Sequence, residues 1–137
     1  MDKRQKILIV DDAGFNRDIL KEILGETYSY LESENGNQAI QIMEENSEID
    51  LMLLDINMPQ MNGFEVLEWM NRFQWINETP VIMISSEESV DTMRKAYEMG
   101  ITDYITRPFD SVIVKKRVQN TLALYANQER LVNVVVD

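Results

Sequence analysis

Four short runs of strand-forming residues in this chain end in groups that can do chemistry. Ile7-Leu8-Ile9-Val10 runs into Asp11-Asp12, Leu51-Met52-Leu53-Leu54 into Asp55, Val81-Ile82-Met83-Ile84 into Ser85-Ser86, and Asp103-Tyr104-Ile105-Thr106 into Arg107-Pro108. A lone Asp after a strand is ordinarily a turn residue or a helix cap, and a lone Ser an N-cap. Four such ends on one rim of a sheet change that reading, because they bring together three carboxylates, one or two hydroxyls and one cation. Crowded carboxylates repel and are driven toward protonation unless a cation neutralises them. Mg²⁺ suits the task, since it favours a few carboxylate oxygens, a carbonyl and waters in octahedral array. With the metal in place one carboxylate becomes a nucleophile toward phosphorus. Metal and side-chain cation then share the charge of the phosphoryl oxygens, and a hydroxyl adds a hydrogen bond. Asp55 is the candidate nucleophile, standing alone after the most apolar run, whereas adjacent Asp11 and Asp12 are suited to holding the metal.

The elements that must position these groups follow from pattern. Three of the strand-like runs are nearly continuous apolar tetrads, as in strands covered on both faces of a parallel sheet. Tyr28-Ser29-Tyr30-Leu31 supplies the remaining strand and contributes no comparable chemistry at its end. Between the runs lie segments of helical period: Phe15, Ile19 and Ile23 with Leu20 and Leu24, then Gln38 to Glu45, then Phe64, Leu67 and Met70, then Val90, Met93 and Tyr97. Asn35-Gly36 precedes the second helix, Gly63 opens the third, Gly100 closes the fourth, and a fifth begins near Ser111, after Pro108. Alternating strands and helices imply a (βα)₅ doubly wound α/β fold with helices on both faces. Ligands in such sheets sit beyond the carboxyl ends of the strands, where the four chemical ends meet.

Composition narrows the chemistry. The 137 residues suit one domain with a substantial core. No cysteine means no disulfide, thiol catalysis or thiolate metal site, and no histidine means no imidazole base, ligand or phosphate carrier. Catalysis and metal binding must rest on carboxylates. A formal net charge of −11 argues against direct nucleic-acid binding, and Lys115-Lys116-Arg117 reads as a solvated face. Neither an apolar run long enough for a membrane span nor a signal-peptide pattern is present, so a cytoplasmic location is expected.

Over about Lys6 to Tyr125 the chain resembles the receiver domain of bacterial two-component response regulators. The resemblance is carried by Ile7-Leu8-Ile9-Val10-Asp11-Asp12, by Asp55-Ile56-Asn57-Met58-Pro59-Gln60-Met61-Asn62-Gly63, by Ile82-Met83-Ile84-Ser85-Ser86, and by Ala96, Gly100, Asp103-Tyr104-Ile105 and Pro108-Phe109. It implies a five-stranded sheet in the flavodoxin-like order 2-1-3-4-5, with Asp55 as phosphoacceptor. Asp12 and Asp55 match direct Mg²⁺ ligands, Asp11 a ligand through water, and Asn57 a ligand through its backbone carbonyl; Mn²⁺ is an acceptable replacement. Ser85 matches the switch hydroxyl, Tyr104 the aromatic that moves inward with it, and Arg107-Pro108 a cis peptide. The donor implied is a phosphohistidine on a sensor histidine kinase or histidine phosphotransferase. The readout implied is the face of the fourth helix, fifth strand and fifth helix, through a homodimer or an effector domain beyond residue 137. Polar Asn57 and Glu87 at the pocket mouth resemble fast-resetting chemotaxis-type regulators, which implies easy water access and a short-lived phosphate.

One position departs from the family pattern: Arg107 stands where Lys is usual, and a planar fork is not equivalent to a point charge at a phosphate site. A non-phosphorylated module held in one state by Arg107 is the alternative within the fold. A phosphatase turning over through an aspartyl phosphate is disfavoured by Asn57, which cannot serve as the second acid/base. A flavin site is disfavoured by Asp11-Asp12 where a phosphate cradle needs backbone donors. Residues 1–125 are read as the domain, and 126–137 as a C-terminal extension or linker helix end, either of a single-domain regulator or of a fragment cut from a longer protein with an effector domain.

Overall fold

The computed structural model describes residues 3–46 and 48–136, with side chains described through residue 126. Five strands alternate with five helices. They are β1 (Lys6–Val10), α1 (Gly14–Leu24), β2 (Ser29–Ser33), α2 (Gly36–Glu45), β3 (Leu51–Asp55), α3 (Gly63–Arg72), β4 (Val81–Ser85), α4 (Val90–Glu98), β5 (Asp103–Thr106) and α5 (Ser111–Val136), with a short 3₁₀ turn at Trp75–Asn77. All strands are parallel, in the order β2-β1-β3-β4-β5. The expected fold and strand order are both found. Helix α5 continues without a break past residue 125. Among the described residues no helix is long and apolar enough to cross a membrane.

The apolar tetrads read as two-faced strands because each face has its own core. Leu8, Val10, Met52, Leu54, Val81 and Met83 turn toward α2, α3 and α4. Ile7, Ile9, Leu51, Leu53, Ile82, Ile84 and Ile105 turn the other way, toward Leu20 and Leu24 of α1 and Val114, Val118 and Leu122 of α5. Every residue of β3 and β4 is buried, Asp55 and Ser85 included. A fully buried aliphatic side chain contributes about 2 kcal/mol. Both chemical groups therefore sit at the ends of strands that the core holds rigidly.

Helix starts follow side-chain chemistry. Asn35 caps α2 by accepting from the Gln38 N–H at 2.8 Å. Asn62 and Glu65 form a reciprocal capping box on α3. Ser89 caps α4, and Asp110 accepts from the N–H groups of Val112 and Ile113 at the start of α5. Gly100, at φ 103, follows the end of α4 as a left-handed terminator.

Two expected helix faces need correction. Phe15, read as the first member of the α1 stripe, is 76% exposed, and the buried face of α1 is Leu20 and Leu24. On α4, Val90 and Tyr97 are exposed, and the fully buried residue is Ala96, flanked by partly buried Met93. A small side chain lets α4 lie close against the sheet, and a periodicity count that weights only large residues misses that face.

Candidate functional site

The rim is built from the carboxyl ends of β1, β3, β4 and β5. The end of β1 is fixed by its neighbour: the Asp11 N–H donates to the Ser33 carbonyl of β2 at 3.0 Å. The Asp11 carboxylate then accepts from the Ala13 N–H at 2.9 Å. On β3, Asp55 is 2% exposed, and its Oδ1 accepts from the Asn57 N–H at 3.4 Å. One carboxylate oxygen from each of Asp11, Asp12 and Asp55 lies within 4.8 Å of the others. Asp11 and Asp55 are buried and Asp12 is exposed, so the cluster opens outward through Asp12.

The Asp55 loop is held from beneath by α3. The Gly63 N–H donates to the Ile56 carbonyl at 2.9 Å. A β-carbon on Gly63 would stand 2.6 Å from the Asp55 carbonyl oxygen and 2.9 Å from the Ile56 α-carbon, so only glycine permits this approach. The left-handed Gln60, at φ 68, turns the chain between the two.

From β5, Arg107 reaches across the rim. Its Nη1 donates to Asp55 Oδ1 at 3.1 Å and its Nη2 to Asp11 Oδ2. The Arg107-Pro108 peptide is cis, as the resemblance implied. Three carboxylates against one guanidinium leave two negative charges uncompensated at the rim, which a divalent cation would neutralise. Burial is the largest influence on Asp55 and pushes its pKa from 3.8 to about 6; Arg107 opposes the shift, and neighbouring Asp11 adds to it. The donor set, hard oxygens with a charge deficit, therefore fits Mg²⁺ or Mn²⁺.

Ser85 is fully buried at the end of β4, and its Oγ accepts from the Glu87 N–H at 3.0 Å. Tyr104 lies inward, 2% exposed, and its hydroxyl donates to the Glu87 carbonyl at 3.1 Å. Burial raises the Tyr104 pKa above its ordinary 10, and the Ser85 hydroxyl beside it opposes that shift. The segment after β4 thus joins the serine and the tyrosine through one residue, Glu87. Its carboxylate accepts from the Thr92 hydroxyl at 3.1 Å and ties the segment to α4. Asn57 and Glu87 are both exposed.

The structure therefore brings together Asp11, Asp12, Asp55 and Arg107 directly, and Ser85, Glu87 and Tyr104 as a linked group beside them. Sequence reasoning missed Arg17. From the first turns of α1 its Nη1 donates to the Asp11 carbonyl at 2.6 Å, while its Nε pairs with Glu32 of β2 at 3.0 Å. Lys21 pairs with the same Glu32 at 2.9 Å, and this hydrogen bond, with Arg17 adding to it, holds Glu32 below its ordinary 4.5. So β2, which seemed to add nothing, braces the acidic end of β1 through Glu32. The available signal was a cation in the helix that directly follows an acidic strand end.

A model of the response regulator receiver domain family matches residues 7–119. Chemotaxis protein CheY1 of Helicobacter pylori is 30% identical over 119 residues, covering 85% of this chain and 96% of that protein. The transcriptional regulatory protein CpxR of Klebsiella pneumoniae is 33% identical over 118 residues, covering 85% of this chain and 49% of that protein. Among solved structures, chemotaxis response regulator CheY4 of Vibrio cholerae superposes with a TM-score of 0.79 at 25% identity, covering 87% of this chain and 99% of that one. The matched span runs from β1 into α5 and contains the whole acidic rim, and the chain belongs to the response regulator receiver domain family, signalling domains of two-component systems.

Proposed function

We propose that this receiver domain takes a phosphoryl group from a partner's phosphohistidine onto Asp55 in a Mg²⁺-dependent reaction, and passes the change to the face of α4, β5 and α5. The observation that carries this reading is the buried Asp55 carboxylate within the acidic cluster, with a guanidinium on it. In the transfer, an Asp55 carboxylate oxygen forms the new bond to phosphorus as the bond from phosphorus to the imidazole nitrogen breaks, and the donor histidine leaves. Asp11, Asp12, Asp55 and the Asn57 carbonyl would hold the metal. Bound there, it offsets the negative charge of the carboxylates and of the transferring phosphoryl oxygens. Arg107 supplies the second positive charge, and Ser85 the hydroxyl donor. A sensor histidine kinase or a histidine phosphotransferase is the partner class.

Support for the readout face comes from the Ser85–Glu87–Tyr104 linkage, which joins the rim to α4 and β5 through specific hydrogen bonds. A change in what Ser85 contacts would alter the segment that the Tyr104 hydroxyl holds. Output through a homodimer or an attached effector domain belongs to the same reading.

The test is intact-mass analysis of the protein after incubation with acetyl phosphate, with Mg²⁺ and with a chelator. One phosphoryl group is expected with Mg²⁺ and none with the chelator. No uptake in either sample would defeat the reading in favour of an interaction module that Arg107 holds without phosphate.

The lifetime of the product depends on water. Hydrolysis needs a water in line with the leaving carboxylate, and the exposed Asn57 and Glu87 leave the mouth of the pocket polar. The phosphate is therefore expected to be short-lived. Asn57→Met should slow its loss by roughly tenfold, the scale of 1.4 kcal/mol in a barrier. The loss is followed by mass after removal of the donor. Equal rates in the parent, Asn57→Met and Glu87→Ala would show that neither side chain governs water entry.

A further inference from the structure

Both oxygens of the Asp11 carboxylate are already engaged by N–H donors. Oδ1 accepts from the Ala13 backbone, and Oδ2 from Nη2 of Arg107. The Ala13 donor is part of the turn that leads into α1, so of the two only the arginine can leave without moving the main chain. The same guanidinium holds Asp55 Oδ1 at 3.1 Å through Nη1. Its two terminal nitrogens thus span two of the three carboxylates of the cluster.

The guanidinium is not fully satisfied in that position. Among the described residues, Arg107 Nε is the buried side-chain nitrogen or oxygen without a hydrogen-bond partner. A buried donor without an acceptor is an energetic cost. The fork holds its place through the two carboxylates in spite of that cost, and an arrangement that gives Nε an acceptor requires the guanidinium to move. The backbone beneath it stays anchored, because the Arg107 N–H donates to the Ser85 carbonyl at 3.0 Å. Movement is therefore confined to the side chain, which is 20% exposed.

We propose that Arg107 is an internal cation that bridges Asp11 and Asp55 in the absence of metal and is displaced from Asp11 when a divalent cation binds, so that its fork sets the metal affinity of the domain. The inference rests on the proposed Mg²⁺ site and adds a competitor within the chain. A planar guanidinium engages carboxylates through several N–H groups in a fixed geometry, whereas an ammonium concentrates its charge at the end of a flexible stem. Lysine at this position keeps the positive charge and gives up the fork, so substituting it separates competition by geometry from simple charge repulsion.

Calorimetric titration of MgCl₂ into the metal-free protein and its Arg107→Lys variant is the test. The variant is expected to bind Mg²⁺ about tenfold more tightly, the effect of removing one charge-assisted contact that the metal must otherwise break. A second measurement needs no variant: the Nε–Hε resonance of Arg107 in the ¹⁵N-labelled parent should move during the titration with the midpoint that calorimetry gives. Mg²⁺ binding to Arg107→Lys that is equal or weaker overturns the inference while leaving the metal site standing. An Nε–Hε signal that stays fixed at saturating Mg²⁺ does the same. Absence of Mg²⁺ binding in both proteins removes the metal site and this inference together.

Discussion

Asp55→Asn is expected to take up no phosphoryl group from acetyl phosphate under conditions in which the parent takes up one, and to be the more stable protein at pH 7 in metal-free buffer. The first effect follows from chemistry: an amide has nearly the shape of the carboxylate and can still accept from Arg107, but it offers no anionic oxygen to phosphorus. The second follows from burial, which raises the Asp55 pKa from 3.8 to about 6. A raised pKa means that the folded protein holds the proton more tightly than the unfolded chain does. The stability this contributes is fully present below about pH 4 and is lost as the pH rises through about 6. The loss amounts to as much as about 3 kcal/mol. Asn carries no such pH dependence, so the gap between variant and parent should open between pH 4 and 7, and saturating Mg²⁺ should narrow it. Urea unfolding at several pH values checks this. A variant less stable than the parent at pH 7, or a gap that does not change with pH, would show that Arg107 fully offsets the burial of the charge.

Gly63→Ala is expected to destabilise the fold and lower phosphoryl uptake together, although Gly63 bears no chemical group. Alanine in place of a helical glycine ordinarily gains about 1 kcal/mol. Here the added carbon would meet the Asp55 carbonyl oxygen at 2.6 Å and the Ile56 α-carbon at 2.9 Å, both backbone atoms that no rotamer change can move. Relief requires a main-chain shift, at a cost of about 3 kcal/mol. The clash outweighs the propensity gain, leaving a net loss of about 2 kcal/mol and a melting temperature lower by roughly 6 °C. The shift falls on the residue that carries the nucleophile, so uptake should drop in the protein that remains folded. A Gly63→Ala protein with unchanged melting temperature and uptake would mean that α3 can withdraw from β3 at no cost.

The strands and the acidic rim were legible because both are written locally. Continuous apolar runs mark strands buried on two faces, and polar residues at their ends must fall on one rim once the strands are parallel. The boundaries moved by a residue or two: β2 was read as Tyr28 to Leu31 and lies at Ser29–Ser33. That strand lies at the sheet edge and has mixed burial, so its pattern is the weakest of the five. The faces of α1 and α4 were harder. Phe15 and Tyr97 are large and periodic yet exposed, whereas Ala96 is small and buried. Size and period alone do not say which side of a helix meets the sheet. Specific contacts between distant segments were not legible: Arg17 with the Asp11 carbonyl and Glu32, Gly63 with the Asp55 carbonyl, and, although Arg107 was expected on the rim, the pairing of its fork with both Asp11 and Asp55. Each depends on how far one element stands from another, which the order of residues does not state.

The central claim is that Asp55 is the acceptor, and chemical mapping of the bond tests it most directly. Borohydride reduces an aspartyl phosphate to homoserine and leaves free carboxylates untouched. The parent protein, phosphorylated with acetyl phosphate and Mg²⁺, reduced and then sequenced by peptide mass spectrometry, should carry homoserine at position 55. Homoserine at position 11 or 12 instead, or none anywhere in a protein that has gained mass, would contradict the account.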